Sequence, residues 1–368
     1  MKNLYLDVNV LQTVPSSNIN RDDTGSPKTA IYGGVTRSRV SSQSWKRAMR
    51  QSFEEETKDA EWLESFRTKK VGYLLAKKLQ ELDGSLSDED SLKKAIEIFG
   101  KVGIKIKKDS KSKEYVTGAL MLISEGQLEK IAKFALDNEE LDKDAAKEIK
   151  NILMSDQSLD LALFGRMVAD NPELNVDASS QVAHAISTHE ITPEFDFYTA
   201  IDDAKKDDES GSAMIGTLEY NSSTLYRYAN VNVRDLMHNL GNKDLTLEGL
   251  KLFIKDFIMT MPTGKENSYA NKTLPQYVMV NVRDDTPVNL VSAFEIPVRS
   301  NGGYVDKSIE ALEKENEESA KFADKSIFSI ALTSKESKMD NQAQSIGDLI
   351  NQTTEFIGQE LNDENSND

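Results

Sequence analysis

The sequence predicts an α+β fold on a ferredoxin-like βαββαβ core carrying insertions. Three observations predict it: a period-two opening segment, an amphipathic helix after it, and strand–helix–strand patterning that resumes beyond residue 180. At 368 residues the chain is long enough for two or three globular units. Its 45 Lys and Arg against 62 Asp and Glu give a net charge of −17, and 38% hydrophobic residues suffice for a packed core. Cysteine is absent, which excludes disulfide scaffolds, Cys-ligated metal centres and thiol catalysis. No run of about 18 apolar residues occurs. The first twelve residues lack the order of a signal peptide, so a soluble, cytoplasmic protein with no membrane partner is expected.

Taken in order, Leu4 to Leu11 alternates, placing Leu4, Leu6, Val8 and Val10 on one strand face. Asn18 to Gly34 has loop composition, and Arg37-Ser38-Arg39 reads as a basic loop leading into a helix capped by Ser41 or Ser42. On that helix Trp45, Ala48, Met49, Ser52 and Phe53 share one side, and Lys46, Arg47 and Arg50 the other. Residues 57 to 165 are mostly helical in pattern, as over Val71–Leu82, Leu92–Phe99, Gly126–Leu136 and Asp144–Met154. Lys101 to Tyr115 is a lysine-rich interruption, expected as a loop or a short strand pair. Phe195–Asp203 and Ala213–Val233 read as strands joined by the polar turn Ala204–Ser212, a long projecting hairpin. Thr246 opens a helix with Leu247, Leu250, Ile254, Phe257, Ile258 and Met261 at helical spacing. Gln276–Val282 and Ala293–Val298 read as strands, and the acidic end should fray after Leu361.

Charge is unevenly spread. Met1 to Arg50 carries eight cations against three anions, whereas Asn301 to Asp368 carries six lysines against fifteen acids. A concentrated basic segment suits a polyanion whatever the total charge, because counterion release depends on local phosphate contacts. Arg37, Arg39, Lys46, Arg47 and Arg50 form the strongest signal, since such cations neutralise consecutive phosphates without reading bases. Arg166 is a further candidate phosphate ligand and Met167 a candidate for pressing on a base, core packing being the plainer reading of Met167.

Other chemistry is poorly supplied. Tyr32-Gly33-Gly34-Val35-Thr36-Arg37 lacks the ending of a phosphate loop and reads as a turn. His184 and His189 lie five apart, outside the spacing of a helical zinc pair, and read as hydrogen-bonding residues. Of the acid pairs Asp22-Asp23, Asp202-Asp203 and Asp284-Asp285, the first shares a loop with Arg21 and Lys28. It is the one candidate for Mg²⁺, with loop shaping favoured. No catalytic residue, metal or cofactor is predicted.

Several segments together resemble the CasC family, the crRNA-binding backbone subunit of the type I-E CRISPR complex Cascade. They are Asn18-Ile19-Asn20-Arg21-Asp22-Asp23, Ala30-Ile31-Tyr32-Gly33-Gly34, and Arg39-Val40-Ser41-Ser42-Gln43-Ser44-Trp45-Lys46-Arg47-Ala48-Met49-Arg50. Gly165-Arg166-Met167, Ala183 to His189, Phe197 to Asp203, Tyr226 to Asn230 and Tyr277 to Asn281 follow in the same order. The resemblance implies an RRM-like palm of residues 1–56 and 181–361, helical fingers over 57–180, a β-hairpin thumb over 195–226, and a disordered tail over 362–368.

It further implies copies stacked head to tail along crRNA, each thumb kinking the strand, with target DNA pairing to the guide and other Cascade subunits as partners. Phosphate contacts carry over onto Arg21, Lys28, Arg39, Gln43, Lys46, Arg50 and Lys265, and the kink onto Arg166 and Met167. Arg37 and Arg47 join them by charge and position. The family pattern departs at Val35-Thr36, where relatives tend to be basic, and neither Lys101–Lys113 nor the long acidic C-terminus aligns with it. The finger lysines Lys143, Lys147 and Lys150 loosely match residues suited to target DNA. Two other readings stand beside this one: a metal-dependent ribonuclease of the type III backbone kind using Asp22 or Asp23, and a scaffold that assembles without RNA.

Overall fold

The computed structural model describes residues 3–56, 65–138, 142–155, 157–168, 171–200 and 214–363. They form two compact units, one of Met1–Met49, Val182–Asn230 and Phe253–Asp368, the other of Arg50–Gln181 and Val231–Leu252. Residues 50–56 and 231–252 thus group with the helical block, where the sequence pattern assigns them to the palm.

The first unit opens with β1 (Tyr5–Ser17), β2 (Thr29–Tyr32), β3 (Val35–Val40) and the start of α1 (Ser42–Glu56). Tyr32 pairs with Val35, so Gly33 and Gly34 make a two-residue hairpin turn. Their φ angles of +60° and +77° are those such a turn demands. Arg37-Ser38-Arg39 therefore lies on a strand, correcting the expected loop: the glycine pair supplies the turn and frees its flanks to pair. Ser41 caps α1, its Oγ accepting from the Ser44 N–H at 3.3 Å.

The second unit contributes β4 (Ser65–Thr68), α2 (Val71–Leu82), α3 (Asp88–Lys101), β5 (Ile106–Lys108), β6 (Tyr115–Thr117), β7 (Met121–Ser124), α4 (Glu125–Asp137), α5 (Lys143–Met154) and α6 (Leu159–Phe164). Leu75, Leu79, Ile98, Phe99, Ile131 and Ile149 fill its core. Ser87 caps α3, Asp142 caps α5, and Ser124 with Gln127 forms a capping box on α4. The lysine-rich interruption is a strand pair, β5 against β6.

The chain continues through β8 (Ser180–Val182), β9 (Ala185–Ser187), β10 (Glu194–Ala200), β11 (Met214–Asn232), α7 (Val233–Leu240), α8 (Lys243–Met259) and α9 (Glu266–Tyr269). It ends with β12 (Tyr277–Arg283), α10 (Val305–Ser319), β13 (Phe328–Thr333) and α11 (Ile346–Asp363). The main sheet runs β13-β12-β1-β11-β9-β3-β2, with β10 paired to β11 off this path. The turn expected at Ala204–Ser212 lies outside the described residues, as does 364–368 of the tail. Ala293–Val298 is not a strand. Leu290–Phe294 is a 3-10 turn capped by Asn289, because Leu290 and Phe294, four apart, are both buried against α10.

β1 is buried on both faces. Leu4, Leu6, Val8 and Val10 line one, as their alternation predicts, while Asp7, Asn9 and Leu11 line the other. The polar residues there are satisfied: the Tyr226 hydroxyl donates to Asn9 Oδ1 at 2.8 Å and the Tyr228 hydroxyl to Asp7 Oδ1 at 2.8 Å. Arg283 Nε and the Val288 N–H both donate to Asp7 Oδ2, at 3.2 and 3.0 Å. Between the two tyrosines, Arg227 points to the opposite face, where its guanidinium stacks 3.8 Å from the Trp45 ring centroid and 4.8 Å from that of Phe257. It donates to Gln12 Oε1 at 2.6 Å and to the Phe257 carbonyl. One side chain thereby joins β1, β11, α1 and α8.

Replacing it tests that role. Arg227→Met leaves Gln12 Oε1 and a buried carbonyl without their charged donor and should cost about 2–4 kcal/mol, read as a lower urea midpoint at unchanged m value. Asp7 supplies a pH-dependent test. Burial raises its pKa from 3.8 to about 6 against the pull of Val288, Tyr228 and Arg283. A carboxyl raised on folding stabilises the native state below its unfolded pKa and loses that contribution as pH climbs through the folded value, here a window from about pH 4 to about pH 6 worth up to about 3 kcal/mol. Melting temperatures of wild type and Asp7→Asn should therefore diverge in favour of wild type as pH drops from 7 to 4; a constant difference would contradict this.

Candidate nucleic-acid interface

In the first unit the 18–28 loop is braced by its own polar groups. Asn20 Oδ1 accepts the Ser41 N–H at 2.8 Å, at the entry to α1. The Lys28 N–H donates to the Asn20 carbonyl and the Arg39 N–H to the Lys28 carbonyl, both at 2.9 Å. Arg21 bridges to Pro27 across the loop. Asp22 shapes the turn between them: its Oδ1 accepts from the Thr24 and Ser26 N–H groups and from Thr24 Oγ1 at 2.7 Å. These bonds, the Thr24 hydroxyl foremost, hold its carboxyl below the usual range.

Lys265 reaches the same place from far along the chain. A Cβ on Gly264 would sit 2.2 Å from the Ile19 carbonyl oxygen, so only glycine permits this approach. Lys265 follows with φ +55°, a left-handed conformation unusual for a lysine. Arg21, Lys28, Arg39 and Lys265 thus share one patch of the first unit. His184 confirms how close the cations stand: its pKa is lowered by burial and then by the charges of Arg39 and Lys28. Its Nδ1 accepts the Ser42 N–H at 3.1 Å. Among the described residues no carboxylate pairs with Arg21, Lys28, Arg39, Arg47 or Lys265.

Along α1, Gln43 and Arg47 are exposed and Lys46 half-buried. Arg50 differs. Its Nε lies 2.7 Å from Asp160 Oδ2, which also accepts from Ser65 Oγ at 2.5 Å, so this cation is matched within the second unit.

Two expected surface contacts need correction. Arg37 is 0% exposed, its guanidinium donating to the carbonyls of Tyr32, Ser187 and Phe294. It fastens the β2–β3 hairpin to Leu290–Glu295 and presents no charge to solvent. Arg166 is equally enclosed, donating to the Leu174 and Leu153 carbonyls at 2.9 and 2.6 Å. Burial lowers its pKa to about 10. Its neighbour Met167 is 75% exposed, so the core-packing reading of that methionine does not apply. Arg166 holds the turn, and Met167 is displayed by it.

The two histidines serve as hydrogen-bonding groups, as expected. His189 stacks on Tyr304 at 3.6 Å, its Nδ1 meets the Glu190 carbonyl at 2.7 Å, and its Nε2 accepts the Thr224 N–H at 3.1 Å. Sequence reasoning missed the apolar face of the β10–β11 ladder. Phe195, Phe197 and Ile215 are each more than 60% exposed, and the register puts all three on one side, opposite Tyr198 and Gly216. Their period-two spacing in a hairpin was the available signal. Among the described residues no group of three or more His, Cys, Asp or Glu is arranged to hold a metal, and no helix is long and apolar enough to cross a membrane.

No curated protein matches the chain. A chain of a structure described as "CRISPR RNA-guided surveillance complex, pre-nicking" is 32% identical, with TM-score 0.82, over 95% of this chain and 99% of that one. A chain of a "CRISPR RNA-guided surveillance complex" is 28% identical, with TM-score 0.73, over the same shares. The model of the CT1975-like protein family matches residues 6–355. The protein belongs to the CT1975-like family, and it is CasC-like, as its colinear motifs implied.

Proposed function

We propose that this chain is a non-catalytic backbone subunit of a CRISPR surveillance complex of type I-E, which grips crRNA by its phosphates and leaves the bases free for target DNA. The observation that carries this reading is the convergence of Arg21, Lys28, Arg39 and Lys265, cations without carboxylate partners among the described residues, at the mouth of a helix carrying Gln43, Lys46 and Arg47. Guide sequences vary, so their carrier must bind without base readout, through phosphate contacts and sequence-tolerant apolar surfaces. Met167 and the Phe195–Phe197–Ile215 face are surfaces of that kind.

Strand order β12-β1-β11-β9, with α1 after β1 and α8 before β12, supports reading the first unit as an RRM-like palm. The β10–β11 ladder would be the thumb. Head-to-tail stacking of copies along the guide is the assembly this reading entails, a heterologous contact whose rotation does not close. Asp22, spent on its own loop, offers little to a ribonuclease mechanism.

Co-expression with a guide array and companion subunits tests the reading: the purified particle should carry RNA of uniform length, and RNA-free particles of the same size would favour a bare scaffold. In that particle Arg21→Ala and Arg47→Ala should each lower the salt slope of RNA binding by about 0.7. Arg37→Met should instead reduce thermal stability and leave the slope alone. Regularly spaced cuts in complementary RNA with Mg²⁺, abolished in Asp23→Ala, would overturn the non-catalytic assignment.

A further inference from the structure

The cationic patch of the first unit borders a crevice that phosphate contacts do not explain. It lies where the end of β1, the 18–28 loop, β3 and β11 meet, and it measures about 10 Å³, room for one water-sized group. Among the described residues Lys28 and Arg39 are the only charged ones that line it. Val14, Val40 and Leu225 give it apolar walls and are themselves buried. Its polar lining is deeply buried as well. Ser17, Asn221 and Ser223 are 4%, 6% and 5% exposed, yet among the described residues the two serine hydroxyls and Asn221 Nδ2 make no hydrogen bond. Asn221 Oδ1 is engaged, accepting from Ser38 Oγ at 3.1 Å, which fixes the amide and leaves Nδ2 as a donor.

Polar side chains this deep are ordinarily paired, because an unpaired one gives up its hydration and gains nothing in return. Asn221, Ser223 and Leu225 alternate along one face of β11, the face on which Leu225 is wholly buried. Valine at 221 and 223 would suit a strand there without that cost. Three unpaired polar groups around a space of one atom's size mark a seat for a hydroxyl from outside the chain.

We propose that this crevice seats a ribose 2′-hydroxyl of the bound strand, so that the subunit tells RNA from DNA. Three physical points select this occupant. The crevice is too small for a base or a whole phosphate, and the 2′-hydroxyl is the single-atom group that RNA has and DNA lacks. It both donates and accepts, as Ser17 and Ser223 do, and it can accept from Asn221 Nδ2. Lys28 and Arg39 in the same lining suit the phosphates on either side of that ribose. Phosphate contacts alone would accept DNA as readily as RNA, so selectivity for the sugar needs a separate device such as this one.

This inference rests on the proposed grip on a guide strand, yet the two fail differently. The purified full chain is titrated with a single-stranded RNA, with its 2′-deoxy counterpart of identical bases, and with its 2′-O-methyl counterpart. The RNA should bind at least about 10-fold more tightly than either, because a deoxy strand leaves the crevice groups unpaired and a methylated one does not fit. Ser17→Ala and Ser223→Ala together should bring RNA down to the level of the deoxy strand. Affinity for the deoxy strand and the salt slope on both should stay as they were, since no phosphate contact is removed. Equal binding of the three strands by wild type would overturn the proposal, as would 2′-O-methyl RNA binding as tightly as RNA. So would a double variant that keeps the preference, or one that weakens on both strands alike. Equal binding with the salt slope intact would leave the phosphate grip in place. Wild-type protein that binds none of the strands would defeat that grip, and this proposal with it.

Discussion

A buried guanidinium determines where the first unit can put its charge. Arg227 lies fully enclosed between Trp45 and Phe257, and burying an arginine is costly unless every donor direction is answered. Here the two Nη groups donate to the Gln12 amide oxygen and the Phe257 carbonyl between two aromatic faces, while Nε has no hydrogen-bond partner among the described residues. Those partners come from β1, α1 and α8, so satisfying one charge fixes the rotation of α1 on the sheet. With Trp45 and Met49 turned inward, Gln43 and Arg47 have only the outside left to face.

β11 does this twice over, because alternate residues serve opposite faces. Tyr226 and Tyr228 cover the polar row Asn9 and Asp7 on the α10 side, and Arg227 works on the other. A core that buries Asp7, Asn9, Gln12, Arg227 and Arg283 is less forgiving than an apolar one, since each group loses its hydration and must find a partner of the right kind. Such a core fixes register closely: a slip of one residue along β1 would send Asp7 to the apolar face and strand it there.

Much of this is legible in the sequence and some is not, for identifiable reasons. Periodicity finds β1, α1, α2 and β12, where local alternation and burial agree, and the lysine-rich strip reads as a loop or a strand pair, the second of which it is. The β2–β3 hairpin is hidden by loop-like composition, although Gly33-Gly34 is a strong turn signal. Arg37 and Arg39 stand two apart on one strand, and no local pattern separates them. What separates them is Phe294, 257 residues beyond Arg37, whose carbonyl helps seal the first guanidinium and leaves the second at the surface. Arg166 is the same case, enclosed by carbonyls from other parts of its unit. Charge is read from a sequence directly. Exposure depends on what the fold lays over it, and that information is distant in the chain.

Two lysines break a local rule where the charge is concentrated. Lys265 and Lys113 both adopt left-handed backbone, with φ of +55° and +62°, where glycine would sit without penalty. Each conformation costs a side-chain-bearing residue about 1 kcal/mol. Lys265 stands directly after Gly264, a glycine forced by close contact with Ile19, and Lys113 lies in the turn of the β5–β6 ribbon. Stability alone would favour a second glycine or an asparagine at both positions. Residues held against local backbone preference persist where the surroundings over-determine them, and both lysines sit in segments fixed by such contacts, Gly264 against Ile19 and the Lys113 N–H on the Asp109 carbonyl. The two positions lie one in each unit, in a chain whose net charge is −17.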